Sequence, residues 1–408
     1  MIQHRIAITG MGSISAAGPD APSLWQTALV PRVNSKPVHL ASPDRDLMVY
    51  AVDALPAPLD HERRLTRHAD RSVLLTLAAA REAWRESGLD AGILPPSRAG
   101  VIVGSSRGPG AQITETERRA TKRPTDALYT GFTSIPGIVS ALFDLQGCSM
   151  LTAATCPSSA VALRAAMALI TSGELDAVLV GGVDAPIHDS FLQQFAATGV
   201  LSTELGPHAL RPFTRNRIGT VLGEGAACIV IESEASALRR GARIHGLVRH
   251  VVANCNSASR AGADEGGAAL QQTTEQTLAA LGWKPGQVDL LHLHGTGTPL
   301  NDATESLYVQ RLFGPVAHQP HAWATKGLTG HVLGASPIFQ VILSLQALQH
   351  ATVPATANCL DQDPDCPIRL NLGPPLRQPL HTALCLTSGF WGNTSCIALE
   401  APDSKDTS

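Results

Sequence analysis

The feature that most constrains the fold of this chain is a succession of apolar and amphipathic stretches that occurs twice. Short apolar runs alternate with longer amphipathic stretches, which is typical of a mostly parallel β-sheet layered with helices. In the first half, an amphipathic stretch over residues 72–88 leads through a loop to the apolar run 99–104. In the second half, the stretch 268–282 leads through a loop to the run 288–294. The sequence therefore predicts an α/β protein built from two similar halves.

The later parts of the two halves also correspond. A predicted helix after Cys156 leads to the strand-like run 177–182, and the second half has a predicted helix over residues 338–350. We interpret residues 219–232 and 382–400 as apolar hairpins that close the two halves. Two halves that meet face to face would place their loops around a shared cleft. The predicted units are an N-terminal half, a C-terminal half and a polar, disordered tail, over residues 1–242, 243–402 and 403–408.

Composition argues against several classes of function. The 408 residues are 44% hydrophobic and 16% charged, with a formal net charge of −3, and basic residues form no long runs, so we expect no nucleic-acid partner. We find no secretory leader and no window with the about 20 apolar residues that cross a bilayer, and therefore expect a cytoplasmic protein without a membrane span. The eight cysteines show no CxxC pairs and no Cys/His ligand spacing, so we expect reduced thiols and no bound metal.

Cys156 is the cysteine with the most informative neighbours. It precedes Pro157, which suits the first position of a helix because it has no N–H to lose and a preset φ. Residues 160–170 are strong helix formers, and Gly173 is a natural stop. At a helix N-terminus the dipole would lower the pKa of the thiol, and unpaired N–H groups could stabilise an oxyanion. The alternative is a buried cysteine that only packs beneath the turn.

Two histidines and a lysine lie in loops rich in small residues. His294 ends a strand-like run and precedes Gly-Thr-Gly-Thr, whose small residues would let an extended substrate approach the backbone. Lys326 and His331 lie in a second loop that enters a helix. Each histidine is a catalytic candidate with a structural histidine as the alternative, and a lysine in such a loop is ordinarily only solvated.

With these four residues the sequence resembles the β-ketoacyl-acyl carrier protein synthases, the condensing enzymes of fatty-acid and polyketide assembly. The resemblance covers nearly the whole chain, in the order and at the spacing of the family's motifs. The motifs are Ile8-Thr9-Gly10-Met11-Gly12, Cys156-Pro157-Ser158-Ser159, Arg211-Pro212-Phe213 with Gly223-Glu224-Gly225, the stretch from His294 to Asp302, the stretch from Lys326 to Ala335, and the turn Gly389-Phe390.

The resemblance implies a thiolase-like fold of five layers, αβαβα, that is usually dimeric. It implies that Cys156 accepts an acyl chain from the phosphopantetheine thioester of an acyl carrier protein. His294 and His331 would then assist decarboxylation of a malonyl thioester and stabilise the enolate, which attacks the acyl-cysteine and lengthens the chain by two carbons. Neutral imidazoles that donate through Nε2 fit this chemistry. No permanently bound cofactor is implied, because the substrates arrive on the carrier protein.

The same residue-by-residue comparison implies roles for the surroundings of these residues. A basic cluster would steer an acidic carrier protein, although a charge run is ordinarily a solvated face. The implied roles are a polar network with Lys326 (Asp302 and Glu305), pantetheine binding (Thr296 and Thr298), an oxyanion hole of backbone N–H groups (Cys156 and Phe390), a gate to the acyl entrance (Phe390 and Trp391) and carrier-protein docking (Arg63, Arg64 and Arg67, echoed by Arg118, Arg119, Lys122 and Arg123).

Several positions depart from the family's pattern. Trp391 stands where the family's gating turn has glycine, and Gln340 replaces an acidic residue that supports the lysine. These departures favour a specialised member, serving a secondary polyketide or unusual acyl pathway. The other departures are Asn393-Thr394, Ser336-Pro337, Thr214 and Ile218.

Two alternatives to condensation stay open. The first is an acyltransferase of the same fold that passes the acyl group to an alcohol, amine or thiol without decarboxylation, which the changed surroundings of Lys326 motivate. The second is a non-catalytic partner in a ketosynthase heterodimer, which the retained cysteine and histidines disfavour. The sequence leaves open the length and type of the acyl chain, and whether a dimer is a homodimer or a heterodimer.

Overall fold

The computed structural model of the chain describes four ranges, residues 5–42, 44–89, 92–256 and 266–402. The polar tail predicted over residues 403–408 lies outside them. The strands are β1 Ile6–Ser15, β2 Lys36–Ala41, β3 Asp44–Val49, β4 Ala99–Gly104, β5 Ser149–Thr152, β6 Ala177–Asp184, β7 Gly225–Ser233, β8 Gly246–Cys255, β9 Leu290–His292, β10 His321–Trp323, β11 Thr352–Val353, β12 Leu376–Arg377, β13 Thr382–Ser388 and β14 Asn393–Glu400. The helices are α1 Ala21–Leu29, α2 Arg63–Thr66, α3 Arg71–Ser87, α4 Gly110–Arg118, α5 Asp126–Tyr129, α6 Ser134–Phe143, α7 Ser158–Thr171, α8 Asp189–Ala197, α9 Glu234–Arg239, α10 Ala268–Leu281, α11 Pro299–Phe313, α12 Lys326–Thr329 and α13 Ser336–Gln349.

The sheet topology repeats between the two halves. From the centre outward, the first half has the order β1-β7-β6-β4-β5 and the second half has the order β8-β14-β13-β9-β10. Corresponding neighbours pair in the same sense, antiparallel for β6 with β7 and β13 with β14, and parallel for β4 with β5 and β9 with β10. A short antiparallel ladder between β1 and β8 joins the halves into one ten-stranded sheet.

Helices fill the layers on both sides of each set of strands. The central layer contains α7 and α13, which pack on each other, and α13 also contacts β6 and β7 of the first half and β13 and β14 of the second. Helix α3 covers the outer face of β1 and β7, and α10 covers that of β8 and β14. This five-layered αβαβα arrangement of two duplicated halves confirms the predicted fold class.

Local capping fixes the helices at nearly the predicted bounds. The side chain of Asp70 accepts the N–H of Ser72 at 2.8 Å at the start of α3, and Gly88, with φ 65°, ends it. Gly282, with φ 67°, ends α10 in the same way. Strand β4 matches its prediction, whereas β9 covers only Leu290–His292 of the predicted run, so His294 lies in the loop beyond it.

One predicted hairpin is wrong. Residues 382–400 form the antiparallel hairpin β13–β14, as predicted. Residues 219–232 do not fold back on themselves, because the segment before β7 pairs with distant parts of the chain. The N–H of Tyr50 donates to the carbonyl of Leu222 at 2.9 Å, and the N–H of His331 donates to the carbonyl of Val221 at 2.8 Å.

The most enclosed element is α13, in which every residue from Ser336 to Leu348 is buried. None of the helices in the described ranges is long and apolar enough to span a bilayer. Residue 242 lies between α9 and β8, and a division of the chain at that point stays a prediction.

Candidate active site

Cys156 lies on a sharp turn between β5 and α7. Thr155, just before it, has a φ of 55°, in the left-handed region that β-branched residues avoid. The hydroxyl of Ser158 holds the turn closed, because it donates to the carbonyl of Thr155 at 2.5 Å and accepts the N–H of Ala154 at 2.9 Å. Pro157 precedes the first residue of α7, one position earlier than predicted. The turn directs the sulfur into a pocket between the two halves.

The pocket has a volume of about 430 Å³ and receives side chains from both halves. Its lining residues are Ser106, Arg107, Thr155, Cys156, Phe195, Gly199, Val200, Ile218, Thr220, His294, Thr296, Thr298, Pro299, Leu300, Asn301, His331, Leu333, Ser388, Gly389, Phe390 and Trp391. The sequence-predicted cysteine, both histidines, both threonines and the gating turn therefore meet in one cavity.

His331 contacts the sulfur directly. Its Nε2 lies 3.3 Å from the Sγ of Cys156, and its Nδ1 accepts the N–H of Leu333 at 3.3 Å. The main chain of His331 is held by Val221 and Gly223, at 2.8 and 3.0 Å, so the ring is anchored on the first half although it belongs to the second. Because Nδ1 accepts a hydrogen bond, a neutral His331 carries its proton on Nε2, facing the pocket.

His294 is fixed in the same tautomer by Lys326. The Nζ of Lys326 lies 3.2 Å from His294 Nδ1 and also donates to the carbonyl oxygen of His294. The two imidazole rings are edge to face, with centroids 5.3 Å apart, and one ligand atom from each of Cys156, His294 and His331 lies within 4.8 Å of the others. Each imidazole therefore presents an Nε2–H to the space beside the sulfur.

Burial keeps both imidazoles neutral. It lowers the pKa of His294 and of His331 well below 6.5, and the charge of Lys326 adds to the effect. Burial also lowers the pKa of Lys326 to about 8, and the negative charges of Glu305 and Asp302 oppose this shift. At neutral pH the cluster thus combines two uncharged imidazoles with one ammonium group.

The prediction of a lowered thiol pKa is wrong for this pocket. Burial raises the pKa of Cys156 to about 12, and the charge of Asp184 adds to it. Lys326, Arg107 and the cysteine's own N–H oppose the rise without cancelling it. The physical reason is desolvation, because neighbouring side chains replace much of the water around the sulfur, although Cys156 as a whole is partly exposed at the pocket. Without substrate, the residue is a neutral thiol.

The polar network around Lys326 differs from the one that the resemblance implies. Glu305 accepts the N–H groups of His294 and Gly295 at 2.5 and 2.8 Å, and Asp302 accepts that of Phe213 at 2.7 Å. In the described ranges no ion pair joins Lys326 to either carboxylate, although both raise its pKa by charge. The carboxylates hold the main chain of the histidine loop instead.

Gln340, the family's acidic position, also serves the scaffold. Its amide donates to the carbonyls of Leu293 and Leu386 at 3.0 and 2.9 Å and accepts the hydroxyl of Thr387 at 2.9 Å. It therefore ties the loop after β9 to β13. A buried amide can bridge the strands in this way without bringing a charge into the site.

The gating turn packs directly on the cysteine. A Cβ at Gly389 would lie 2.3 Å from the hydroxyl of Thr155 and 3.1 Å from the nitrogen of Cys156, so only glycine fits there. The ring of Phe390 stacks on Phe195, with centroids 6.4 Å apart. The N–H groups of Cys156 and Phe390 donate to no carbonyl among the turn and loop hydrogen bonds of the described ranges. Both are available for an oxyanion.

Trp391 completes this turn in a strained conformation. Its φ of 63° lies in the left-handed region, and 60% of its surface is exposed beside the pocket mouth. Its carbonyl accepts the thiol of Cys255 at 3.2 Å. The side chain therefore adds bulk at the pocket mouth, at the cost of backbone strain, and its role as a gate stays a prediction.

The other predicted positions lie at the mouth and on the surface. The hydroxyls of Thr296 and Thr298 lie 2.9 Å apart and line the pocket with Ile218, one of the departing positions. Thr214 is buried. The predicted docking side chains are exposed on and beside α2, and Arg63 pairs with Asp60 at 3.2 Å; these side chains are Arg63, Arg64 and Arg67.

Sequence reasoning missed two residues of the site, Asp184 and Arg107. Asp184, at the end of β6, accepts N–H groups from Ser106, Arg107 and Gly334 at 3.0, 3.0 and 2.7 Å. It thereby fixes the loops that flank Cys156. The available signal was an arginine among small residues, Gly104 to Gly108, directly after a predicted strand.

The fold and this pocket define the class of a thiolase-like condensing enzyme with a cysteine beside two histidines. Family models agree with that class. The β-ketoacyl synthase N-terminal domain matches residues 3–237, and the β-ketoacyl synthase C-terminal domain matches residues 245–360. The chain belongs to the β-ketoacyl synthase family, and it is a condensing enzyme of fatty-acid or type II polyketide pathways.

Individual relatives cover almost the full length of the chain. It is 30% identical to the oxytetracycline polyketide putative beta-ketoacyl synthase 1 of Streptomyces rimosus, over 98% of this chain and 97% of that one. It is 30% identical to the 3-oxoacyl-[acyl-carrier-protein] synthase 2 of Staphylococcus aureus, over 97% and 98%. Among solved structures, the ishigamide ketosynthase/chain length factor superposes with a TM-score of 0.86 at 26% identity, over 98% of this chain and 100% of that one.

Proposed function

We propose that this chain joins an acyl group held on Cys156 to a malonyl unit carried by an acyl carrier protein, with release of carbon dioxide. The observation that carries the proposal is the 3.3 Å contact between Cys156 Sγ and His331 Nε2, with His294 presenting a second Nε2–H to the same space. The product is a β-ketoacyl chain longer by two carbons.

The first step transfers the acyl group to the cysteine. The sulfur of Cys156 attacks the carbonyl carbon of the acyl thioester, and the bond from that carbon to the pantetheine sulfur breaks. The proton of the cysteine thiol ends on the departing pantetheine thiol. The Nε2–H of His331 and the charge of Lys326 stabilise the sulfur anion, and the N–H groups of Cys156 and Phe390 stabilise the oxyanion.

The second step forms the new carbon–carbon bond. The bond between the malonyl carbon and its carboxylate breaks, carbon dioxide leaves, and the electron pair becomes an enolate on the thioester. Nε2–H groups of His294 and His331 donate to the enolate oxygen. The enolate carbon then attacks the carbonyl of the acyl-cysteine, and the cysteine sulfur leaves as a thiolate, which takes up a proton from water to restore the neutral thiol. Neutral imidazoles suit this step, because they stabilise the oxygen without protonating the carbon.

The carrier protein supplies both substrates on phosphopantetheine, and no bound cofactor takes part. We propose that its acidic surface meets the exposed side chains of Arg63, Arg64 and Arg67, which charge complementarity would steer. Thr296 and Thr298 would hold the pantetheine arm where they line the pocket. Phe390 and Trp391 would gate the acyl entrance.

For assembly we propose a homodimer, with a heterodimer like the ishigamide ketosynthase/chain length factor as the competing state. We also propose that the enzyme acts in the cytoplasm on a specialised acyl or polyketide chain. The strained Trp391 at the pocket mouth and Gln340, an uncharged residue that holds the loop after β9, support a specialised substrate.

Intact-protein mass spectrometry tests the proposal. After incubation with acyl-carrier proteins, we expect one acyl group on the wild type and none on Cys156→Ala. Cys148→Ala is the matched control, because it removes another partly exposed thiol and should load like the wild type. An acyl adduct on Cys156→Ala equal to that of the wild type would show that another residue is the nucleophile.

A second measurement separates loading from condensation. We expect His331→Ala to accept the acyl group but to release almost no carbon dioxide from malonyl-carrier protein. Robust transfer to another acceptor by the wild type, without release of carbon dioxide, would favour the non-decarboxylative acyltransferase.

A further inference from the structure

The pocket contains a guanidinium group that the condensation mechanism does not use. Arg107 lines the same cavity as Cys156, and its guanidinium carbon lies 4.8 Å from the ring centroid of Phe191 and 5.0 Å from that of Phe195. The two rings are one helical turn apart on α8, so they form a single aromatic cradle. Aromatic faces stabilise a cation, which explains how this charge is held beside the cysteine.

The backbone at Arg107 is rigidly placed. Its N–H donates to Asp184 at 3.0 Å, and the neighbouring hydroxyl of Ser106 donates to the carbonyl of Thr155 at 2.7 Å. The loop is thus tied to the residue that precedes the nucleophile. The charge of Arg107 reaches Cys156, and burial lowers the pKa of Arg107. Its position is therefore a built feature of the pocket.

Within the part of the chain that the structure describes, the guanidinium of Arg107 has no acceptor. In the described ranges, the hydrogen bonds of Arg107 are made by its main-chain N–H and no ion pair involves its side chain. Asp184 is the acid whose charge raises the pKa of Arg107, but it already accepts hydrogen bonds from Ser105, Ser106 and Gly334. An aromatic cradle compensates part of the charge but does not accept the five N–H groups of a guanidinium.

Arg217 and Arg211, the buried arginines of the described ranges, have acceptors within the chain, whereas Arg107 is half-buried. Arg217 donates to a carboxylate oxygen of Asp363 at 2.5 Å and to the carbonyl of Thr214 at 3.0 Å. Arg211 pairs with Glu204 and donates to the main chain of Asn216. The difference indicates that the partner of Arg107 arrives with the substrate.

We propose that Arg107 binds a carboxylate at the far end of the acyl group, so that Cys156 accepts half-thioesters of dicarboxylic acids. This rests on the proposed acyl-cysteine. A carboxylate is favoured because it meets a guanidinium with two parallel hydrogen bonds and neutralises its charge. Apolar residues that line the same pocket, namely Phe195, Val200 and Leu333, would contact the methylene groups between the two ends.

The test compares glutaryl- and pentanoyl-carrier proteins, which have acyl chains of equal length and differ in the terminal group. Loading of Cys156 is followed by intact-protein mass spectrometry. We expect kcat/KM for the glutaryl group to exceed that for the pentanoyl group about 10- to 100-fold in the wild type. In Arg107→Met the preference should reverse. Arg107→Lys should keep a reduced preference, and Arg85→Met, which removes an exposed arginine, should match the wild type.

Other outcomes overturn the proposal. Arg107 would not select a carboxylate if the wild type loaded the pentanoyl and glutaryl groups with equal kcat/KM. The same conclusion would follow if Arg107→Met left the ratio of the two kcat/KM values unchanged. An unchanged ratio with a dimer converted to monomer in size-exclusion chromatography would assign Arg107 to a subunit contact. The ratio of the two kcat/KM values in the wild type tests the proposal even if the variants do not fold. Failure of both acyl groups to load Cys156 would instead contradict the proposed function.

Discussion

The two walls of the pocket differ in how completely their polar groups are paired. We call His294, Lys326 and His331 the histidine wall, and Arg107, Phe195 and Trp391 the acyl wall. In the histidine wall the side chains are at most 6% exposed, and each ring nitrogen Nδ1 has a donor. In the acyl wall the guanidinium has no acceptor in the described ranges, and Trp391 is 60% exposed.

This difference separates chemistry from selectivity. Groups that stabilise a transition state act best when the protein has already oriented them, because no reorganisation is then needed during the reaction. Groups that choose a substrate are completed by the substrate itself. We therefore expect changes in the histidine wall to slow the reaction of every acyl chain equally, and changes in the acyl wall to alter which chain reacts.

Among variants that keep Cys156 and both histidines, the largest effect is expected at Gly389, where the two walls meet. In Gly389→Ala the new Cβ would clash with Thr155 and push Phe390 from the oxyanion site. Loss of one oxyanion donor should slow loading and condensation about 10²- to 10³-fold, measured by stopped reactions with acyl- and malonyl-carrier proteins. Gly137→Ala is the control, because nothing lies within 4 Å of its Cβ. Equal activity of both variants would mean that this turn takes no part.

We expect Lys326→Met, in the histidine wall, to lower condensation activity to the same extent for all acyl chains. Removal of the ammonium group frees His294 Nδ1, so the ring can adopt the other tautomer. We expect condensation to fall about 10- to 100-fold for short and long acyl chains alike, as for other residues that orient a reactive group. Loading should fall as well, because the charge of Lys326 also stabilises the sulfur anion. Lys284→Met, at an exposed lysine, should behave as the wild type. If the loss of condensation activity depended on the acyl chain, the histidine wall would also take part in substrate selection, and the proposed division of roles between the two walls would be wrong.

The pH dependence of condensation sharpens the same point. Burial lowers the pKa of Lys326 to about 8, so the ammonium is present below that pH and lost above it. We expect kcat for carbon dioxide release to fall up to about tenfold per pH unit above this value. In Lys326→Met, which has no ammonium group at this position, we expect no such fall of kcat above pH 8. A wild-type profile that stays level above pH 8 would assign no role to the charge of Lys326.

The smallest effect is expected at Trp391, in the acyl wall. Trp391→Gly relieves a left-handed backbone, so the free energy of unfolding should rise by about 1 kcal/mol. Trp391→Phe keeps the backbone strain and should show no such gain. Loading of bulky acyl groups by Trp391→Gly should increase a few-fold relative to short ones. Thermal denaturation and intact mass measure the two effects, and an equal stability of both variants would contradict the strain.

Much of the fold and of the candidate site could be predicted from the sequence. Helix α3 is bounded by Asp70 and Gly88, whose capping is a local property. Residues 219–232 were misread because their partners, near Tyr50 and His331, are remote in the chain. Other features of the site could not be predicted because they depend on residues that only the fold brings together. The raised pKa of Cys156 comes from burial, and the position of Arg107 over Phe191 and Phe195 joins residues that are remote in the chain.

Helix α13 has a consequence for how substrates enter. It is enclosed along almost its whole length and contacts strands of both halves, so the halves share one interior. Moving the two halves apart would expose that interior to water, and the free-energy cost would scale with the apolar area exposed. We therefore expect the cysteine and its imidazoles to keep their relative positions during the reaction, and we propose that substrates enter past the turn from Gly389 to Gly392, which lines the pocket.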